Sequence, residues 1–456
     1  MNQDNFAVLK LPTELLKNIT SLGYEKMTPI QGQSLPHILN GRDLIGQAKT
    51  GSGKTAAFGL GILAKLDRKK LTVQTLVLCP TRELADQVSQ ALRQLARTLP
   101  NIKILALCGG MPFRQQQKSL GHGAHIIVGT PGRVAKHLRK ETLNLKDLTT
   151  LVLDEGDRML DMGFQDEIEA IIDLTPTERQ TLLFSATYPP HIQSMAESVM
   201  NDPFLAKVDT VHDEDSIKQT FYKVDKDDRL FALQLLLQEH RPKSTVIFCN
   251  TKKDCREVTD ELRDSGFSAL DLHGDLEQTA RDETLIQFSN NSVAILVATD
   301  VAARGLDINS IDAVINYHIS RDPEVHVHRI GRTGRAGNTG IACSLYSDKE
   351  HHKISILEEY IEQTVTSEKL PDRSVLERDK IVTSMTTIKI KKGKKQKVRA
   401  GNILGALTSK NGLQGDQVGK INVYDDWAYI AVKKDMLELA LSQLAGEKLK
   451  GFSIEF

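Results

Sequence analysis

The sequence predicts two tandem α/β domains, each a parallel sheet with helices on both faces, followed by a small basic α+β domain. Three observations carry this reading. Short apolar runs alternate with helical stretches and end in polar turns, the pattern of strands buried on both faces. The pattern then repeats: strands ending at Thr81 and Thr130, 49 positions apart, are echoed by strands ending at Thr251 and Thr299, 48 apart. Finally, Lys380 to Phe456 holds fourteen Lys and Arg against seven Asp and Glu, although the whole chain has a formal net charge of zero.

The elements follow in order. At 456 residues the chain is too long for one core. Leu11, Leu15, Leu16 and Ile19 lie at helical spacing before a break at Gly23-Tyr24. In the first copy, apolar runs end at Cys79, Leu107, Val128, Leu153 and Phe184. In the second, runs end at Thr251 and Thr299. The expected boundaries are 1–209 for the first domain, 210–217 for a polar linker, 218–370 for the second and 378–456 for the terminal domain. The terminal domain shows strand, helix, strand, helix and strand signals, with Tyr424, Trp427 and Tyr429 on or beside one strand. Five cysteines without paired spacing are expected to be buried, reduced thiols in a cytosolic protein. No secretion signal and no membrane-length apolar run is visible.

The chemistry concentrates at strand ends, where ligands bind in parallel sheets. Ala48-Lys49-Thr50-Gly51-Ser52-Gly53-Lys54-Thr55 stands between a short apolar run and a helix, the setting of a phosphate-binding loop. Gly51 and Gly53 let backbone N–H groups close on phosphate oxygens, Lys54 reaches the β- and γ-phosphates, and the Thr55 hydroxyl suits Mg²⁺. Asp154-Glu155 follows an apolar run about a hundred residues later; the Asp suits the metal, and the Glu suits the attacking water. An acidic surface turn is the plain alternative, weakened by the upstream loop. His328 to Arg335 places arginines around two glycines, and Arg332 and Arg335 are read as arginine fingers for the γ-phosphate. Thr251-Lys252-Lys253-Asp254 fits a guanine-reading pattern, but it lies in the wrong domain and is read as chance. Neither His326/His328 nor His351/His352 has the companions of a metal site. Lys391, Lys392, Lys394, Lys395 and Lys397 suit nucleic-acid phosphates, with the neighbouring aromatics available for base stacking.

Taken in order, these motifs resemble those of the DEAD-box ATP-dependent RNA helicases over almost all of the first 365 residues. The matching stretches are Gly23-Tyr24 to Gln31 with Phe6 upstream, Ala48 to Thr55, Pro80 to Ala85, Gly109-Gly110 and Thr130 to Arg133. They continue with Asp154 to Asp157, Ser185 to Thr187, Ile247 to Thr251, Ala298 to Asp307 and His328 to Arg335. The resemblance implies two RecA-like domains, ATP and Mg²⁺ as cofactors, and RNA-stimulated ATP hydrolysis. It further implies that Tyr24 and Gln31 read adenine, that Gly305 and Asp307 touch the nucleotide, and that Arg82, Gly110, Thr130, Arg133, Thr251, Gly274 and Thr299 grip the RNA backbone. Gly156 stands where the family has Ala; a small gap and a cost of about 0.5–1 kcal/mol are expected, with activity retained. The last eighty residues resemble the RNA-recognition-motif-like domain of one bacterial branch of the family. That likeness implies a cytoplasmic, monomeric helicase that binds a large-subunit (23S) rRNA hairpin on pre-50S particles during ribosome biogenesis. An ATP-gated RNA clamp and a DNA translocase are the competing readings.

Overall fold

The computed structural model describes residues 4–48, 51–208, 217–303, 311–334, 339–409, 411–446 and 454–455. They form two compact units, the first within residues 1–211 and the second running from 212 to the terminal domain.

The first unit is built on β1 Leu44–Gln47, β2 Thr75–Leu78, β3 Ile104–Leu107, β4 Ile126–Gly129, β5 Thr150–Asp154, β6 Gln180–Ser185 and β7 Phe204–Lys207. All pairings are parallel, in the order β3-β4-β2-β5-β6-β1-β7. Because side chains alternate across a strand, each apolar run feeds two cores. On β2 and β5, Val77 and Val152 face one core with Leu35, Ile38, Leu60 and Leu92. Leu76, Leu78, Leu151 and Leu153 face the other, with Val134, Ile168 and Ile192. Phe6 is buried in the first of these cores and meets Tyr24 edge to face.

The second unit begins with β8 Ile217–Lys223, β9 Thr245–Cys249, β10 Ala269–Leu272, β11 Ile295–Thr299, β12 Ala313–Asn316, β13 Gly340–Tyr346 and β14 Ser367–Glu368. Its order, β10-β11-β9-β12-β13-β8-β14, is that of the first sheet with every number raised by seven. The repeat read from Thr81/Thr130 and Thr251/Thr299 is therefore a repeat of topology: both pairs follow the second and fourth strands of their sheets.

The same unit ends in a small antiparallel sheet of β15 Met385–Ile390, β16 Val418–Val423, β17 Ala428–Lys433 and β18 Ile454–Glu455, in the order β16-β17-β15-β18. Helices Ala400–Leu407 and Leu437–Gly446 contribute Ile403, Leu407, Ala440 and Leu444 to a core with Ile388, Ile390, Ile430 and Val432. This corrects the expected element order. One strand of the sequence pattern is a hairpin: Tyr424 ends its first arm, Trp427 is in the turn, and Tyr429 lies on β17. The turn Tyr424-Asp425-Asp426-Trp427, closed by Tyr424 N–H donating to Trp427 C=O at 2.8 Å, has no glycine to announce it.

Candidate nucleotide and RNA site

The phosphate loop leaves β1 and enters the helix Lys54–Lys65. Gly51 and Gly53 hold φ of 85° and 95°, the left-handed region that favours glycine. Gly53 is needed twice over, since a Cβ there would lie 2.5 Å from Gln31 Nε2. Gln31 is buried, donates through Nε2 to Gly53 C=O at 3.1 Å and accepts from Thr28 N–H at 3.0 Å. A glutamine amide has two donors and two lone pairs, so one of each is left for a base. Lys54 is buried and donates to Ala48 C=O at 2.6 Å. Burial draws its pKa down, while Asp154, Glu155 and Asp157 hold it up. Lys49, Thr50, Gly305, Asp307 and Arg335 lie outside the described residues.

Across the sheet, β5 delivers the acidic groups. Burial pushes the Asp154 carboxyl up to about 7, against the opposing pull of Lys54. Glu155 sits at φ 54° and ψ 53°, a left-handed conformation that costs a non-glycine residue about 1–2 kcal/mol. Its Oε2 accepts from Arg158 Nη1 at 2.8 Å, and both side chains are buried. Sequence reasoning misses Arg158; its position three residues along the helix Gly156–Asp161 is the available signal. Asp157 Oδ2 accepts from Thr187 N–H at 3.1 Å and Thr187 Oγ1 at 2.9 Å, while Asp157 N–H donates to Ser185 Oγ. Ser185 and Thr187 thereby tie the end of β6 to the acidic turn. The residues fit a magnesium-bound triphosphate: Gly51 and Gly53 turn the loop through left-handed conformations, Ser52 Oγ is buried without a partner, and Asp154 is a buried carboxyl beside a lysine.

The gap expected at Gly156 is not there. A Cβ on Gly156 would lie 2.5 Å from Leu183 Cδ1, so the neighbouring strand already fills that space. Gly156→Ala is expected to lower the melting temperature. The gain of about 1 kcal/mol from replacing helical glycine is outweighed by overpacking of about 1–3 kcal/mol. Adding Leu183→Val, which removes the clashing carbon, should restore it. A rise in melting temperature for Gly156→Ala alone would show that Leu183 yields freely.

The residues expected to grip RNA cluster at the other edge of each sheet. In the first domain Arg82 follows β2, Gly110 follows β3, and Thr130 and Arg133 follow β4, three adjacent strands. Gly110 has φ 74°, and a Cβ there would lie 2.1 Å from Arg82 Nη1, so glycine lets the arginine lie on the turn. In the second domain Thr251 follows β9, Gly274 follows β10 and Thr299 ends β11, the same three positions. Thr251 also settles the guanine-pattern question. Its hydroxyl accepts from Asp254 N–H at 3.1 Å, and Asp254 Oδ2 accepts from Thr251 N–H at 3.2 Å, a reciprocal helix cap.

In the His328 to Arg335 stretch, Arg329 is fully buried. Its Nε and Nη2 donate to Asp300 at 2.6 and 2.7 Å, and its Nη1 donates to Asn316 Oδ1 and His318 C=O. This arginine holds the ends of β11 and β12 together. Arg332 is also buried, one turn later. His326 is a core residue: its ring stacks on Phe221, both nitrogens lack partners, and burial lowers its pKa to about 3. Among the described residues no group of three or more His, Cys, Asp or Glu is placed to hold a metal. All five cysteines are buried and free.

The terminal domain presents its basic loop in an ordered form. Lys391, Lys394, Lys395 and Lys397 are exposed, and Lys392 is half-buried. Val398 is buried, and Lys394 and Lys395 N–H donate to the C=O groups of Tyr424 and Asp425 at 2.7 and 3.0 Å, so the loop is tied to the hairpin tip. Lys395 Nζ is paired with Asp426 at 2.6 Å. The stacking aromatics need correction. Tyr429 is buried and donates to Glu283 Oε1 at 3.1 Å, and Lys389 Nζ meets the same oxygen at 2.6 Å while lying 4.3 Å from the centre of the Trp427 ring. Thr387 is bonded to Asn290 and Ser292. The open face of this sheet is thus docked on the helix Gln278–Ser289 and the residues after it; of the three aromatics, Tyr424 is the exposed one. Trp427 is the chain's single tryptophan, so its emission reports the docking. Glu283→Gln is expected to shift that emission to the red and increase acrylamide quenching. Unchanged emission would show that Glu283 does not hold the face.

Comparison with known proteins agrees with this geometry. The DEAD/DEAH box helicase family matches residues 28–195, the helicase conserved C-terminal domain 225–337, and the DbpA RNA binding domain 387–456. The chain is 51% identical to the ATP-dependent RNA helicase DbpA of Escherichia coli over 97% of its own length and 96% of that protein's. It is 45% identical to the DEAD-box ATP-dependent RNA helicase CshA of Geobacillus kaustophilus over 76% of this chain and 75% of the relative. The structure of S. cerevisiae Dbp5 bound to RNA and ADP BeF3 matches with a TM-score of 0.73 and 30% identity, covering 80% of this chain and 96% of that one. Two sheets of the same strand order, with the identities above, place the chain in the DEAD-box family: it is an ATP-hydrolysing, ATP-dependent RNA helicase of the DbpA type.

Proposed function

We propose that the chain couples Mg²⁺-dependent ATP hydrolysis to local opening of large-subunit (23S) ribosomal RNA. It would work on pre-50S particles in the cytoplasm, as a monomer, with residues 378–456 holding an RNA hairpin. The observation that carries the reading is the separation of two residue groups along the first sheet. In the first domain β1 leads into the phosphate loop, β5 into the carboxylates and β6, between them, into Ser185 and Thr187, whereas β3, β4 and β2 lead into Gly110, Thr130 with Arg133, and Arg82.

In this reading Tyr24 and Gln31 recognise adenine, and Ala48 to Thr55, Asp154, Gly305 and Asp307 hold the nucleotide. Lys54 holds the phosphates, Glu155 orients and deprotonates the attacking water, and Arg158 holds Glu155 in place. Thr55 and Asp154 would hold Mg²⁺, which supplies charge neutralisation between phosphate oxygens when bound. Arg332 and Arg335 offset charge developing on the γ-phosphate. Residues 1–209 and 218–370 act as the two halves of the motor, joined by 210–217. Backbone contacts from Arg82, Gly110, Thr130, Arg133, Thr251, Gly274 and Thr299 give grip without sequence, leaving choice of RNA to the terminal domain. The test is ATP turnover with intact 23S rRNA, unrelated RNA and DNA of matched length. Half-maximal stimulation is expected at the lowest concentration with 23S rRNA. Equal stimulation by DNA would overturn the reading.

A further inference from the structure

Beneath the RNA-gripping edge of the first domain lies a buried polar chain that the reading above does not use. Gln116, on the helix Phe113–Leu120, donates through Nε2 to Cys108 C=O at 3.0 Å and accepts at Oε1 from Arg133 Nη1 at 2.7 Å. His137, on the helix Pro131–Arg139, brings Nε2 to 3.1 Å from the same Oε1, and its Nδ1 lies 2.8 Å from Thr142 Oγ1. Phe113 stacks on the His137 ring at 4.2 Å. Arg133 Nη1 also donates to Met111 C=O at 2.8 Å, just past Gly109-Gly110.

Chemistry fixes the directions around Gln116. An arginine only donates and a carbonyl only accepts, so the Gln116 amide can point only one way. Its oxygen then requires a proton on His137 Nε2. A neutral imidazole carries one proton, so Nδ1 is the acceptor nitrogen; it faces the Thr142 hydroxyl at 2.8 Å, whose single proton is shared with the His137 C=O at 3.1 Å. The ring is neutral, because burial and the nearby Arg133 and Lys136 lower its pKa to about 4. The hydrogen bonds therefore converge on Gln116 Oε1, from His137 on one side and from Arg133 on the other. One side chain, Gln116, spans the strand end before Gly109-Gly110, the Arg133 guanidinium and the buried His137.

We propose that Gln116 and His137 are positioning residues for RNA, holding the Gly109-Gly110-Met111 turn and the Arg133 guanidinium as one preformed grip. The inference rests on the reading that Arg133 and Gly110 touch the RNA backbone. Gln116 and His137 are both buried, so they act through the groups they hold. A preformed arginine loses less freedom on binding than a mobile one, so the effect belongs in RNA affinity rather than in the chemical step.

The test is RNA-stimulated ATP turnover of the full chain carrying Gln116→Ala, His137→Leu, Arg133→Ala, or Gln116→Ala with Arg133→Ala. Gln116→Ala is expected to raise the RNA concentration for half-maximal turnover about tenfold, the weight of one charge-assisted hydrogen bond. Turnover at saturating RNA and the KM for ATP should stay unchanged. His137→Leu should act in the same direction more weakly. Adding Gln116→Ala to Arg133→Ala should cost clearly less than it does alone, because the guanidinium is gone and only the bond to Cys108 C=O remains to be lost. If Arg133→Ala itself leaves the RNA dependence unchanged, the underlying reading of the grip fails. If Arg133→Ala weakens RNA binding but Gln116→Ala does not, or the two add in full, the positioning role fails. A lowered melting temperature with unchanged RNA dependence would likewise overturn it.

Discussion

Replacing Glu155 with Gln is expected to slow ATP turnover by about 10²–10⁴-fold, the usual contribution of a positioned general base, while ATP and RNA still bind. Gln keeps an oxygen for Arg158 Nη1, so that buried arginine is not stranded and the fold should persist. Lys54→Ala should abolish turnover by a different route. Lys54 is a buried cation beside Asp154, Glu155 and Asp157, so its removal takes away the hold on the phosphates and leaves Arg158 alone to offset those carboxylates. The Lys54 variant should lose nucleotide affinity, whereas the Glu155 variant should accumulate as a complex with ATP and RNA. Equilibrium binding of a fluorescent ATP analogue separates the two. Equal loss of affinity in both would remove the assignment of water chemistry to Glu155.

The second large effect concerns the basic loop. Replacing Lys391, Lys392, Lys394, Lys395 and Lys397 with Ala should weaken binding to all RNAs and flatten its dependence on salt. Each phosphate that the protein no longer neutralises lowers the slope of log K against log salt by about 0.7–1. The total should fall short of five phosphates, because Lys395 is already paired with Asp426 and Lys392 is half-buried. Because the loop is bonded to the hairpin tip and anchored by buried Val398, these changes should leave the domain folded. Binding titrations between low and moderate salt read the slope; an unchanged slope would place the RNA surface elsewhere.

The parallel sheets are legible in the sequence because strands buried on both faces must be continuously apolar, and each announces itself by a polar end. Thr81 and Thr251 mark equivalent places because both begin the helix after the second strand, where a hydroxyl can cap it. What escapes the sequence is set by packing at a distance. Nothing near Gly156 says that Leu183, 27 positions later, fills the space of a methyl. Nothing near Tyr429 says that Glu283 takes its hydroxyl and makes a docking residue of an aromatic that suits base stacking. The hairpin turn at Asp425-Asp426 lacks the glycine that would mark it, so two strands read as one. Arg158 and Gln116 escape because a lone Arg or Gln on a helix is ordinarily a solvated residue, and only the fold shows them buried against charged partners.

The division of labour between motor and terminal domain has one direct measurement. ATP turnover is followed while titrating an RNA carrying the 23S rRNA hairpin and, separately, a scrambled RNA of equal length. The full chain is compared with one ending at Asp379, which keeps all the described nucleotide residues and every fully buried residue in the clusters around both larger sheets. The full chain should reach half-maximal turnover at a much lower concentration of the hairpin RNA. The shortened chain should still hydrolyse ATP but treat the two RNAs alike. If the shortened chain prefers the hairpin RNA as strongly as the full chain does, selectivity resides in the two-sheet motor and the account is contradicted.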